Sequence, residues 1–204
     1  MKPLSLTLKN FGPYINETID FTKFEDSSLF LISGKTGAGK TTIFDGMSYA
    51  LFGESSGKLR LGKEMRSTFA DPSEATEVTL LFKHNEFLYE LNRLPEQELF
   101  KKRGTGVRKQ SAKISLIVKD AQGKELRAYS KRREVDELIQ ELLHLNANQF
   151  AQIVLLPQGE FRTFLIAKSD EKEKVLRNLF GTELYQLFSE NLKERLKIAN
   201  QEIQ

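Results

Sequence analysis

The sequence predicts an α/β fold: a mixed sheet whose antiparallel portion comes from the amino-terminal strands, a helix laid across it, and a long helical arm at the carboxy terminus. Three observations carry this. Leu4, Leu6 and Leu8 alternate with Ser5 and Thr7, as on a half-buried strand. Ser28-Leu29-Phe30-Leu31-Ile32-Ser33 is nearly continuous in apolar residues, the pattern of a central strand covered on both faces, and helical spacing follows from Thr41. From Thr182 to Gln204, Leu184, Leu187, Phe188, Leu192, Leu196 and Ala199 recur every three or four residues, which predicts one amphipathic helix.

Taken in order, Asn10-Phe11-Gly12-Pro13-Tyr14 has the composition of a turn, and Thr18 to Phe21 reads as a second short strand. Ile43, Phe44, Met47, Ala50 and Leu51 fall on one side of a helix from Thr41 to Leu51, and Gly53 stands where a left-handed cap belongs. Glu54 to Ala75 reads as loop. Glu77–Phe82 and Glu86–Arg93 predict a hairpin turning near Lys83-His84-Asn85, and Ile114–Lys119 a further strand. Ser130 is placed to cap a helix reaching about Leu143, with Val135, Leu138, Ile139, Leu142 and Leu143 on its buried stripe. Gln152 to Leu156 is strand-like and stopped by Pro157. Ser169-Asp170 can cap a helix ending near Gly181, Asp170 and Glu173 having capping-box spacing. The last helix stops uncapped, which predicts that the natural protein continues.

Composition narrows the class. The 204 residues are 39% apolar, ordinary for a globular domain with an appendage. No apolar run approaches the roughly 20 residues that span a bilayer, and the first residues alternate instead of building a signal-peptide core. With no cysteine there is no disulfide framework or thiolate metal site, which fits a reducing cytoplasm, and His84 and His144 are too far apart to suggest zinc. Net charge is +3, but from Lys101 to Arg133 the only acids are Asp120 and Glu125, against a run of basic residues that includes Lys101, Lys102, Arg103, Arg108 and Lys109. Such a local excess draws polyanions, and the competing reading is a solvated loop balanced by acids elsewhere.

Gly34-Lys35-Thr36-Gly37-Ala38-Gly39-Lys40-Thr41 satisfies G-x-x-x-x-G-K-[ST], with an expected strand running in and a helix running out. Glycines let the backbone curl so that successive amide hydrogens face phosphate oxygens, and the helix N-terminus adds its positive dipole end. On this reading Gly34 to Thr42 bind the nucleotide, Lys40 neutralises the β- and γ-phosphates, and the Thr41 hydroxyl ligates Mg²⁺. Phosphate-loop enzymes also need a metal-coordinating acid after a later strand. Neither Leu80-Leu81-Phe82-Lys83 nor Ile153 to Pro157 offers one.

Leu8-Lys9-Asn10-Phe11-Gly12-Pro13-Tyr14 followed by that loop resembles the start of SbcC-type, SMC-like ATPases. Phe44 to Gly53 resembles their first helix. Arg66-Ser67-Thr68-Phe69-Ala70, Thr76-Glu77-Val78 and Lys101-Lys102-Arg103-Gly104 are similar to further stretches of the family, Leu155 to Phe161 to its Q-loop, and Phe180-Gly181-Thr182-Glu183 to its entry into a coiled coil. The resemblance covers essentially the whole chain. One departure is Gly12-Pro13, where some related ATPases carry a basic residue after the Asn-Phe pair.

The resemblance implies an ABC-type head in which residues 1–181 form the amino-terminal lobe and 182–204 begin a coiled-coil helix. It implies ATP and Mg²⁺ as cofactors. Gln158 becomes the Q-loop glutamine, near Mg²⁺ or the attacking water, and Asn10 and Tyr14 become weaker candidates for contacts to the nucleotide. The acid missing here would come from a carboxy-terminal lobe of the same protein, so this chain alone is expected to be inactive. Other implied partners are a second head, an SbcD-like nuclease and double-stranded DNA. The expected place is the cytoplasm, at the nucleoid, with no membrane contact. An SMC- or RecN-like clamp without a nuclease is the alternative, and a self-contained kinase or GTPase is opposed by the missing acid.

Overall fold

The computed structural model describes residues 1–24, 29–56, 62–101, 103–151 and 183–202. The chain divides into two compact units, Met1–Asn148 and Gln149–Gln204.

The first unit is built on a six-stranded sheet. Its strands are β1 (Lys2–Phe11), β2 (Tyr14–Asp20), β3 (Glu77–His84), β4 (Phe87–Leu94), β7 (Lys113–Lys119) and β8 (Glu125–Tyr129), in the order β2-β1-β3-β4-β7-β8. Each of these pairings is antiparallel. Alternation decides the buried face: Leu6 and Leu8, then Val78, Leu80 and Phe82, then Tyr89 and Leu91, then Leu116 and Val118. Leu6 pairs with Leu80, Leu80 with Leu91 and Leu91 with Leu116, so one row of leucines crosses four strands. A separate two-stranded ribbon, β5 (Gln97–Phe100) and β6 (Val107–Gln110), leaves the sheet between β4 and β7.

Helix α1 (Lys40–Phe52) lies against the sheet through Ile43, Met47, Ala50 and Leu51. At Gly46 a Cβ would sit 2.6 Å from Leu8 Cδ2, so a larger residue would push the helix off β1. Gly53 ends α1 in the left-handed conformation at φ 76°, as expected. Helix α2 (Arg132–Leu143) buries Val135 and Ile139, with Leu138, Leu142 and Leu143 half-buried. Short α3 (Ala147–Phe150) follows. In the second unit, α4 (Glu183–Glu202) is the expected long helix, with Phe188, Leu192, Leu196 and Ile198 exposed.

Two expectations are corrected. The run from Leu29 to Ser33 is not a strand, and Leu29 and Leu31 are each 88% exposed. An apolar run becomes a central strand only if neighbours pair with both its edges, and among the described residues no strand pairs with it. Ser130 does not cap α2: the cap position falls on Lys131, with no side-chain hydrogen bond to the helix. The first turn instead carries the ion pairs Lys131–Glu134 (3.0 Å) and Arg133–Glu137 (2.8 Å). The expected strand at Gln152–Leu156, the helix capped at Ser169-Asp170, and Gln158 lie outside the described residues. Among those residues, no helix is long and apolar enough to cross a membrane.

Candidate functional site

The glycine-rich loop leads directly into α1. Gly37 and Gly39 adopt φ 84° and 89°, values that a side chain resists, and Gly39 is the residue from which the helix starts. Gly34 to Ala38 are exposed. The amides of Lys40, Thr41 and Thr42 open the helix, where N–H groups have no partner within the helix itself. The Thr42 side chain is buried against Gly12, so Thr42 offers its amide and not its hydroxyl, whereas Thr41 is exposed with its hydroxyl available. The Ala38 amide donates inside the loop, to the Lys35 carbonyl at 3.1 Å, and so does not point outward as a ligand donor.

Lys40 folds back over the loop. Its Nζ donates to the carbonyls of Gly34 (2.7 Å) and Lys35 (2.8 Å). An ammonium has three donors, so one remains for a ligand oxygen. A positive charge held above curled amides at a helix N-terminus is an anion site, and its reach suits a phosphate chain. The donor set also fits a hard cation held jointly by a phosphate and a hydroxyl, that of Thr41. No three metal-ligating side chains cluster among the described residues.

The turn between β1 and β2 braces this loop. Tyr14 Oη donates to the Gly39 carbonyl at 3.1 Å, and a Cβ on Gly39 would lie 2.6 Å from Pro13 Cγ. Gly12, at φ 57°, approaches so closely that its own Cβ would lie 2.5 Å from Thr42 Cγ2. Burial raises the Tyr14 phenol above its ordinary pKa, and the charge of Glu17 adds to that, so the hydroxyl remains a donor. Behind the turn, the Gly12 amide donates to the Met65 carbonyl (2.7 Å) and the Ser67 amide to the Asn10 carbonyl (2.9 Å).

Asn10 is a correction. Its side chain is fully buried, at φ 50°, with Nδ2 donating to the Ala75 carbonyl at 3.0 Å. It shapes the turn and does not present itself to a nucleotide. Arg66 holds the adjoining loop through the carbonyls of Glu74 (2.6 Å) and Asp71 (2.8 Å).

A further residue escaped the reading of the sequence. Arg93 on β4 is buried, with Nε donating to the Ala50 carbonyl at the far end of α1. The available signal was a charged residue continuing the alternation of Tyr89 and Leu91. The basic candidates lie on the ribbon. Lys101, Arg103, Arg108 and Lys109 are exposed, Lys109 is paired with Glu96 at 2.7 Å, and Lys102 lies outside the described residues.

A glycine-rich loop of this geometry, feeding a helix that crosses an antiparallel sheet, defines a phosphate-loop nucleotide-binding lobe. The chain belongs to the family described as "AAA domain", whose model matches residues 5–204. It is similar to the SbcC component of nuclease SbcCD from Lactococcus lactis subsp. lactis (strain IL1403), 46% identical over 199 residues, which cover 96% of this chain and 19% of that protein. The protein of the same description from Vibrio cholerae serotype O1 is 44% identical over 196 residues, covering 96% of this chain and 19% of the relative. That from Staphylococcus aureus (strain MRSA252) is 45% identical over 204 residues, covering 100% and 20%. The chain therefore spans about a fifth of the length of these relatives. A solved structure described as "Structural biochemistry of ATP-driven dimerization and DNA stimulated activation of SMC ATPases" matches at TM-score 0.46 and 18% identity, over 88% of this chain and 99% of that one.

Proposed function

We propose that this chain is the ATP-binding amino-terminal lobe of an SbcC-like ATPase head. The observation that carries the reading is the phosphate loop, with Lys40 poised over it and the Pro13-Tyr14 turn braced on Gly39. Gly34 to Thr42, with the Ala38 amide kept for the loop's own turn, would cradle the phosphates of ATP, Lys40 would neutralise the charge that develops on the γ-phosphate, and Thr41 would hold Mg²⁺. Gln158 positions the attacking water. The head is completed by a carboxy-terminal lobe that supplies the metal-binding acid. The exposed Leu29-Phe30-Leu31 run beside the loop suits an edge that this lobe covers. Two such heads close on ATP and gate an SbcD-like nuclease that processes double-strand ends and hairpins at the nucleoid, in the cytoplasm. Lys101, Lys102, Arg103, Arg108 and Lys109 face the DNA.

The test is Mg²⁺-dependent ATP turnover by this chain with and without the carboxy-terminal lobe, with Lys40→Ala as control. No turnover alone, and Lys40-dependent turnover once the lobe is added, is the expected result. Robust turnover by the isolated chain would overturn the split-head reading. Co-purification of the full-length protein without any nuclease would favour an SMC-like clamp.

A further inference from the structure

Four segments distant in the chain meet at the foot of the ribbon, behind the turn that braces the phosphate loop. Gln97 on β5 and Thr76, just before β3, are both buried. The Gln97 carboxamide pairs with both backbone groups of Thr76: Oε1 accepts from its amide at 2.8 Å and Nε2 donates to its carbonyl at 3.2 Å. Nε2 also donates to the Pro95 carbonyl at 3.3 Å, so the opposite orientation of the carboxamide would set oxygen against two carbonyls. Arg66 Nη1 donates to Thr76 Oγ1 and to Gln97 Oε1, at 3.3 Å each. The Thr76 hydroxyl has one proton, and it goes to the Asn10 carbonyl at 3.1 Å. The Ser67 amide shares that carbonyl at 2.9 Å.

Asn10 and Gly12 both stand at positive φ, 50° and 57°, so the course of the chain through Pro13 and Tyr14 depends on how the Asn10–Phe11 peptide is set. Two donors on the Asn10 carbonyl fix that peptide. Gly12 then lies against Thr42 in the first turn of α1, and Tyr14 Oη holds the Gly39 carbonyl. Buried groups that are costly to leave unpaired make such an arrangement act as a unit. We infer that Thr76 is a positioning residue for the phosphate loop: its hydroxyl, aimed by Arg66 and Gln97, sets the β1–β2 turn through the Asn10 carbonyl, and the turn sets Gly39. Thr76 is fully buried and does not itself reach a ligand. This role rests on the proposed nucleotide site. It adds control of the loop from the foot of the ribbon, which the glycine-rich string does not encode.

The test uses the full-length protein containing this chain. It measures affinity for a nonhydrolysable ATP analogue by isothermal titration, beside thermal unfolding without nucleotide. Thr76→Val keeps the shape and removes the hydroxyl, and affinity should fall about 2- to 10-fold, the range of one hydrogen bond. Thr76→Ser keeps the hydroxyl and should restore the parent affinity. Thr76→Val combined with Tyr14→Phe should lose less than the product of the two single losses, by about 2-fold or more, because both act on one turn. Gln97→Met with Tyr14→Phe runs the same cycle through a different side chain, and decides the matter should the valine variant fail to fold. Losses that simply multiply, or a lower unfolding temperature with unchanged affinity, would overturn the positioning role and leave Thr76 as scaffold alone. Lys40→Ala is the control for the site itself. Unchanged affinity there would overturn the nucleotide reading, and the role of Thr76 with it, whereas Lys40-dependent binding with multiplying losses would overturn only the latter.

Discussion

Arg93 Nη2 lies 2.9 Å from Asp136 Oδ1 and also donates to the Leu51 carbonyl at 3.2 Å, while Nε donates to the Ala50 carbonyl at 3.0 Å. One buried guanidinium thus ties the carboxyl end of α1, the helix that begins at the phosphate loop, to α2. It stands in an otherwise apolar row, paired with Val78 on one side and Ile114 on the other. A cation there complements the negative end of the helix dipole. Burial lowers the pKa of Arg93, and the hydrogen bond and charge of Asp136 oppose that shift. Asp136 also holds exposed Arg132 at 3.3 Å. Asp136→Ala leaves a buried charge with only carbonyl partners and should cost about 2–3 kcal/mol, below the fully buried range because the carboxylate is partly solvated. Arg132→Ala breaks a surface pair and should cost less than about 1 kcal/mol. Urea unfolding of both variants checks this, and equal losses would mean that the carbonyls alone satisfy Arg93.

The two left-handed glycines of the loop should respond differently to a methyl group. At Gly37 an added Cβ meets nothing within 4 Å, so Gly37→Ala carries backbone strain alone, about 1–2 kcal/mol. At Gly39 the same strain is joined by a 2.6 Å clash with Pro13 and a 3.0 Å approach to Tyr14 Oη. Overpacking of that kind adds about 1–3 kcal/mol. Thermal unfolding of the ligand-free chain should therefore rank Gly39→Ala well below Gly37→Ala, and indistinguishable variants would remove the bracing role of the turn.

What could be read without coordinates was whatever depended on local pattern. The alternation at Leu4-Leu6-Leu8, the helix closed by Gly53 and the hairpin after Glu77 state their own periodicity, and they appear at or within a few residues of the expected places. The run at Leu29 to Ser33 has the right composition for a strand, but pairing needs neighbours, and composition does not say where those come from. β5 and β6 carry Gln97, Arg108, Lys109 and Gln110, so they lack an apolar run, and their buried side is only Gln97 and Leu99. At the site, the loop string was legible because it reports backbone conformation. The burial of Asn10, the bond from Tyr14 to Gly39 and the reach of Arg93 across 43 residues to Ala50 are tertiary facts that no spacing encodes.

Tyr14→Phe isolates the hydroxyl that braces the loop. The ring still packs beside Gly39, but the Gly39 carbonyl loses its 3.1 Å donor. One neutral hydrogen bond is worth about 0.5–1.5 kcal/mol, so nucleotide affinity should fall roughly 2- to 10-fold if the bond holds the loop in its binding shape. Isothermal titration with a nonhydrolysable ATP analogue measures it. Unchanged affinity would mean that Pro13 packing alone sets the loop.

Tyr49 offers a pH readout of the packing between α1 and the sheet. Its side chain is buried, its ring centroid 5.8 Å from that of Phe11. Burial pushes its phenol up from 10.0 to about 12, against the opposing charges of Arg93 and Arg132. A raised pKa means that the folded state resists losing the proton. The phenol's contribution to stability is therefore whole below pH 10 and is lost as the pH climbs from 10 toward 12. The total is about 2–3 kcal/mol for a shift of this size. Tyr49→Phe keeps the ring and removes the ionisation, so its stability should decline less steeply than that of the parent chain through this window. Urea midpoints taken at intervals across the same alkaline range decide the matter. Parallel declines would mean that the Tyr49 phenolate forms without unfolding, and that the packing of α1 on the sheet is loose enough to admit water there.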